Sequence, residues 1–184
     1  TVQDIMNDPE AAIKTYKEGV ARFPDFYLLL FNLSFTLIKT GNYEESALYA
    51  AKAVVANPLH ASSHMVLGIS MMGLDKRPQS ILALFNFLLL EPDTKRSAKG
   101  YDLLMQAMKG RLSKTDDTVS IGLSDQETNE TFRSMDLILS MLQASRLTSD
   151  SAKSESNADY FYHTSEAFLG ILDATERADG NRTV

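Results

Sequence analysis

Residues 27–58 read YLLLFNLSFTLIKTGNYEESALYAAKAVVANP, and this stretch decides the fold. Two helix-forming runs flank Gly41-Asn42-Tyr43-Glu44-Glu45, and the segment stops on Pro58. Apolar residues at helical spacing on both sides of a glycine turn predict helix, turn, helix. Pro58 also has counterparts at Pro24 and Pro92, each 34 residues away. Other columns share that period. Ala12, Ser46 and Ser80 are all small; Gly19, Ala53 and Phe87 align; so do Leu33, Leu67 and Tyr101, and Leu37, Met71 and Met105. A period of this length marks stacked helix-turn-helix units, each burying its apolar face against its neighbours.

These residues resemble the tetratricopeptide repeat. The points of likeness are a large residue early in helix A, a Leu-small pair, Gly-x-Tyr-x-Glu at the turn, Ala midway along helix B and Pro at the exit. Residues 27–58 match best, and residues 61–92 match with departures. Residues 8–24 look like the second half of an earlier repeat, and residues 95–110 like the first helix of a further one. In the second repeat Asp75-Lys76-Arg77-Pro78 replaces the glycine turn, with Asp75 expected as N-cap and Pro78 suited to a helix start. Phe87 stands where Ala is usual, which predicts that the second repeat opens towards a neighbouring element. The expected fold is all-α: a right-handed superhelical solenoid with helices at 8–23, 27–40, 44–57, 61–73, 78–91 and 95–109, followed by two extra C-terminal helices. The corresponding domains are 1–110 for the repeats and 111–184 for a linker and capping helices.

The C-terminal part loses the period. Thr118–Leu123 alternates enough for a short strand or extended arm. Ser124-Asp125-Gln126-Glu127 has the form of a capping box. It predicts a helix from about 125 to 146, with Phe132, Met135, Ile138, Leu139 and Leu142 on one face. The polar stretch Thr148–Asn157 reads as a loop or a polar helix start. A last helix is expected over 158–178, with Phe161, Tyr162, Phe168, Leu169, Ile171 and Leu172 as its apolar residues. This tail is similar to that of a group of uncharacterised bacterial tetratricopeptide proteins whose precursors often look exported. The resemblance implies an envelope location with a signal peptide removed, a cytoplasmic one being the alternative, and it implies no activity.

Composition narrows the chemistry. The 184 residues carry a net charge of -6, 44% apolar residues and no cysteine. Disulfides, thiolate metal sites and Cys nucleophiles are therefore excluded. Lys95, Arg96 and Lys99 form a local basic group too small for a nucleic-acid footprint. The apolar runs Phe26–Ile38 and Ile81–Leu90 are too short to span a bilayer and fall on repeat helices. His60 and His64 have a spacing that can hold a metal on a helix, but no acidic residue stands at a third-ligand spacing. No phosphate loop, nucleophile elbow, triad or paired-carboxylate pattern occurs. The expectation is a non-enzymatic protein without cofactor or metal.

The inner surface remains. In tetratricopeptide proteins the A helices line a concave groove. The resemblance places Leu28, Phe31, Asn32, Phe35, Ile38 and Lys39 there from the first full repeat. It adds Ser62, Met65, Val66, Ile69 and Met72 from the second, and Arg96, Lys99, Leu103 and Gln106 from the third A helix. Family members that clamp a peptide's C-terminal carboxylate use Lys and Asn at positions that here hold Phe31, Phe35 and Val66, so that clamp is not expected. The groove is instead apolar, with a basic end at Arg96 and Lys99. A protein or peptide partner fits it as a helix-in-groove ligand, helped by adaptable methionines. The chain's own C-terminal helices, or a second copy in a homodimer, are the alternative occupants.

Overall fold

The computed structural model describes residues 8–115, 118–125, 127–148 and 155–180. It divides into two compact units, Thr1–Leu104 and Met105–Val184. The first unit holds α1 (Pro9–Arg22), α2 (Tyr27–Lys39), α3 (Tyr43–Ala56), α4 (Ala61–Gly73), α5 (Arg77–Leu90) and most of α6 (Lys95–Lys109). From α1 to α5 each helix packs against the next, and α2 also lies beside α4. Every expected boundary in this region falls within one residue of the observed one.

The 34-residue period is visible in the hydrogen bonds themselves. Helices α1, α3 and α5 each end two residues before an exit proline. The same bond closes each one: Phe23 N–H to the Gly19 carbonyl, Asn57 N–H to Ala53 and Glu91 N–H to Phe87, all at 2.9 Å. Proline pushes its predecessor out of the α region, which stops the helix there. The small-residue column is reused in the same way. Ser46 Oγ donates to the Ser34 carbonyl at 2.8 Å, and Ser80 Oγ donates to the Gly68 carbonyl at 2.8 Å. Both serines are fully buried, and these cross-helix bonds satisfy hydroxyls that would otherwise be costly to bury.

The turns between the helices of each repeat also correspond. Gly41 has φ +74° and Asp75, one period later, has φ +59°. Asp75 is therefore not the N-cap expected of it; Lys76 takes that position without a side-chain bond, and Asp75 supplies the left-handed residue. Asp tolerates that region better than most residues because its short polar chain can bond locally. In the first repeat Asn42 is the true cap, its Oδ1 accepting the Glu45 N–H at 3.2 Å. A Cβ at Gly41 would touch nothing, so Gly41→Ala isolates the backbone term. Its expected cost is about 1 kcal/mol by urea denaturation.

Packing follows the columns. Ala12, Tyr16, Leu33 and Leu37 form a core cluster, with Ile13, Val20, Leu29 and Tyr49 against it. Ala53 is fully buried in the last turn of α3. Ala53→Leu is expected to over-pack the site and cost about 1–3 kcal/mol in chemical denaturation. Phe87, in the same column, is also fully buried. The expectation that it props the repeat open is corrected by Gly100 on α6. A Cβ there would approach the Phe87 ring to 2.4 Å. The room for the large residue comes from a missing side chain opposite it.

In the second unit, β1 (Arg111–Lys114) pairs antiparallel with β2 (Val119–Gly122), Leu112 opposite Ile121. The extended piece read near 118–123 thus has a partner strand that the sequence did not announce. Helix α7 (Glu130–Thr148) starts five residues later than expected. The capping box at Ser124 is not the cap. Asn129 Oδ1 accepts the Phe132 N–H at 3.2 Å, and Glu127 Oε1 accepts the Asn129 N–H at 2.8 Å. The Ser124 N–H points instead to the carboxylate of buried Asp136 at 3.4 Å. Gln126 and residues 149–154 of the expected loop lie outside the described residues. Met135 and Leu139 are fully buried, as the face pattern requires. Helix α8 (Asn157–Gly180) packs on α7 and starts one residue before the expected 158. Tyr160, Thr164 and Phe168 are buried at four-residue spacing, while Tyr162 and Leu169 are more than half exposed. Arg146 lies over the Tyr160 ring, 4.3 Å from its centre, and reaches the Glu155 carbonyl and Asn157 Oδ1 at 3.2 Å.

Candidate functional site

The α2 positions that the resemblance assigns to the groove carry a row of aromatic rings. Phe31 and Phe35, one turn apart, stack with centroids 6.1 Å apart. His60, the residue before α4, inserts edge-on against Phe31 and Tyr27, 5.0 Å from each ring. Tyr27–His60–Phe31–Phe35 is thus one continuous ladder joining two repeats. The geometry follows from the period: successive A helices start 34 residues apart, so the start of α4 lies beside the first turns of α2. Lys39 closes the ladder at its far end, with Nζ 5.2 Å from the Phe35 ring centre. A cation over an aromatic face is held there by the ring quadrupole.

The other end is basic but organised. Arg96, the second residue of α6, forms an ion pair with Glu91 at 3.2 Å and donates to Ser62 Oγ at 2.8 Å. Its guanidinium also stands 5.6 Å from the Phe87 ring centre. Glu91 is a partner that sequence reading missed, because it sits in the exit turn and not on an A helix.

Leu28 and Phe35 are exposed, Phe35 to 46%, while Phe31, Asn32, Ile38, Met65, Ile69, Met72 and Leu103 are half-buried. Arg96 and Lys99 are exposed. Val66 departs from its assignment: it is 4% exposed and belongs to the interior of α4. It stands one residue after Met65, rotated towards the packed side of the helix.

Neither histidine of the i, i+4 pair is arranged for a metal. His60 Nδ1 shares a hydrogen bond with Ser63 Oγ at 2.8 Å, and His64 Nε2 donates to the Pro58 carbonyl at 2.8 Å. Among the described residues no cluster of three His, Asp or Glu side chains could hold an ion. Burial lowers the pKa of His60 below its ordinary value of 6.5, and the charges of Arg96 and His64 lower it further. Its place at the positive end of the α4 dipole acts in the same direction. A lowered folded-state pKa means that the unfolded chain binds the proton more readily. The stabilisation is complete above the unfolded value and is lost as pH falls through the window below it. Urea denaturation at about pH 7.5 and about pH 5.5 should show a loss at the lower pH that is smaller in His60→Asn. An equal loss in both proteins would contradict this assignment.

Among the described residues no helix is long and apolar enough to cross a membrane. No protein-family model matches the sequence, and no curated protein matches it. Solved structures do. The chain is similar to the first TPR domain of Spaghetti (RPAP3), bound to an HSP90 peptide, with a TM-score of 0.53 and 18% identity, covering 58% of this chain and 86% of that one. It is similar to the second TPR domain of human RPAP3, in complex with an HSP70 peptide, with a TM-score of 0.53 and 23% identity over 57% and 85%. At these identities the likeness speaks for the fold and not for the ligand. The repeating caps, the paired left-handed turns and these superpositions together show that the chain has the all-α tetratricopeptide-repeat fold.

Proposed function

We propose that this chain is a non-enzymatic protein-interaction module whose inner face takes an extended or helical segment of a partner protein. The observation that carries the reading is the aromatic ladder of α2, built on a repeat fold and ending in the exposed ring of Phe35. A contiguous run of part-exposed rings, rather than any one of them, is the kind of apolar surface that marks a site of contact. The half-buried Met65, Ile69 and Met72 extend the same face onto α4. Unbranched methionine adapts to irregular partners. One structural neighbour is bound to an HSP90 peptide and the other is in complex with an HSP70 peptide, which supports the mode of use and not the identity of the peptide.

The ligand expected here differs from a carboxylate-clamped tail. Phe31 and Phe35 replace polar groups at two clamp positions, and Val66 is buried at a third. Affinity would come from apolar anchors along the ladder, with a polar or acidic group meeting Arg96 or Lys99 at one end. Selection of a displayed peptide library on the full chain tests this. Enriched sequences should share two or more apolar anchors at regular spacing and bind with one-to-one stoichiometry. Failure to enrich any sequence above an unrelated helical protein would overturn the reading.

A further inference from the structure

One exit turn differs from the others in charge. The residue before each exit proline is Phe23, Asn57 and Glu91 in turn, and the residue five places further on is Leu28, Ser62 and Arg96. Of these three turns only the last has an acid at the first place and a base at the second, and there the two meet. Arg96 Nη1 lies 3.2 Å from Glu91 Oε2, and Arg96 Nη2 donates to Ser62 Oγ at 2.8 Å. The turns at Phe23 and Asn57 close with the same backbone bond and no such pair, so the repeat fold does not require it.

Glu91 is held in place. Its side chain is 19% exposed, against 49% for Arg96. Glu91 Oε1 accepts from Thr94 Oγ1 at 3.0 Å, while Oε2 faces Arg96. Thr94 Oγ1 in turn accepts the Ser97 N–H at 3.0 Å, at the start of α6. Both carboxylate oxygens therefore have a donor, and both terminal nitrogens of Arg96 have an acceptor. Arg96 also stands near the ladder: after burial, its charge is the next cause of the lowered His60 pKa. A partner carboxylate arriving at Arg96 would find the guanidinium already paired and would stand beside the Glu91 charge, which repels it. A repelling group that refuses one class of ligand is a source of specificity. Lys99, three residues further along α6, is exposed and has no ion pair among the described residues.

We propose that Glu91 is a specificity-determining residue of the inner face. It keeps Arg96 for itself, so that an acidic residue of the partner is refused at Arg96 and left to Lys99. The proposal rests on the inner face being the binding face, and it names which of the two cations a ligand can use.

Peptides selected on the full chain provide the test. Each position of a selected peptide is changed in turn to Glu and to Gln, and affinities are measured for the native chain and for Glu91→Gln. Glu91→Gln keeps an oxygen for Thr94 and removes the charge, and its circular dichroism should match the native spectrum. Glu91→Met serves as a second uncharged variant. On the native chain one peptide position should prefer Glu over Gln. That preference should vanish in Lys99→Gln and survive Arg96→Gln. On Glu91→Gln a further position should come to favour Glu by about fivefold, the size of a part-exposed charge pair. Adding Arg96→Gln should remove that gain. A native chain with no preference for Glu, or with one that depends on Arg96, would overturn the proposal. So would the same profile on the native chain and on both uncharged variants. In each of these cases binding at the inner face stands. A library that enriches no peptide on any of these chains overturns the inner-face reading, and this proposal with it.

Discussion

Phe87→Ala is expected to cost about 3–5 kcal/mol, the largest loss of any single change considered for this chain. Phe87 is fully buried, and its ring fills the space left by Gly100. Removing the ring returns the column to the small residue of the other repeats. The opposite side still lacks a side chain, so a cavity opens. The two positions should therefore be coupled. Gly100→Ala in the native background drives a Cβ into the ring and over-packs the site, at about 1–3 kcal/mol. In the Phe87→Ala background the same change meets no ring and gains helix propensity of about 1 kcal/mol. A double-mutant cycle by urea denaturation should show a coupling energy above about 0.5 kcal/mol, of the sign that makes the second change cheaper. Additive costs would mean that the Phe87–Gly100 contact does not set the packing of α5 on α6.

Replacing Phe35 and Ile69 together with Ser is expected to weaken ligand binding several-fold or more without unfolding the chain. Each side chain is already part-covered in the free protein, Phe35 being 46% exposed. A ligand can gain only the remaining part of a burial energy of roughly 1.5–3 kcal/mol per side chain. The pair should then lose about 1–2 kcal/mol of binding, or roughly 5- to 30-fold in affinity, by titration calorimetry with a selected peptide. The thermal midpoint should fall little. If instead the chain's own C-terminal helices occupy this face, the double variant will lose stability, and residues 124–184 will become sensitive to protease. If neither binding nor stability moves, the face is not used.

The repeat architecture was readable because its signals are local and periodic. Proline fixes where helices α1, α3 and α5 stop, Gly41 fixes a left-handed turn, and the small columns fix where helices cross. Each is a backbone or volume requirement that one residue type meets. The departures arise where tertiary contacts decide. Ser124 and Glu127 have the spacing of a cap, but buried Asp136 takes the Ser124 N–H, and Asn129 caps the helix. Asp75 looked like a cap residue and instead solves a φ problem. Tyr162 and Leu169 are apolar yet face outward, because the buried side of α8 is the one that carries Tyr160, Thr164 and Phe168. The ladder was half readable. Phe31 and Phe35 stood out as large residues at α2 positions that the resemblance assigns to the groove. His60 and Tyr27 did not, because their meeting depends on how neighbouring repeats lie side by side.

The central claim is that the inner face of α2 and α4 receives a partner segment. It is tested most directly by amide and methyl shift mapping of the labelled full chain during titration with a selected peptide. The account predicts perturbations concentrated at Tyr27, Phe31, Phe35, Met65, Ile69 and Met72, with smaller changes at Arg96 and Lys99. Perturbations confined to the exposed Leu48 and Val55 of α3, or to residues 130–180, would contradict it.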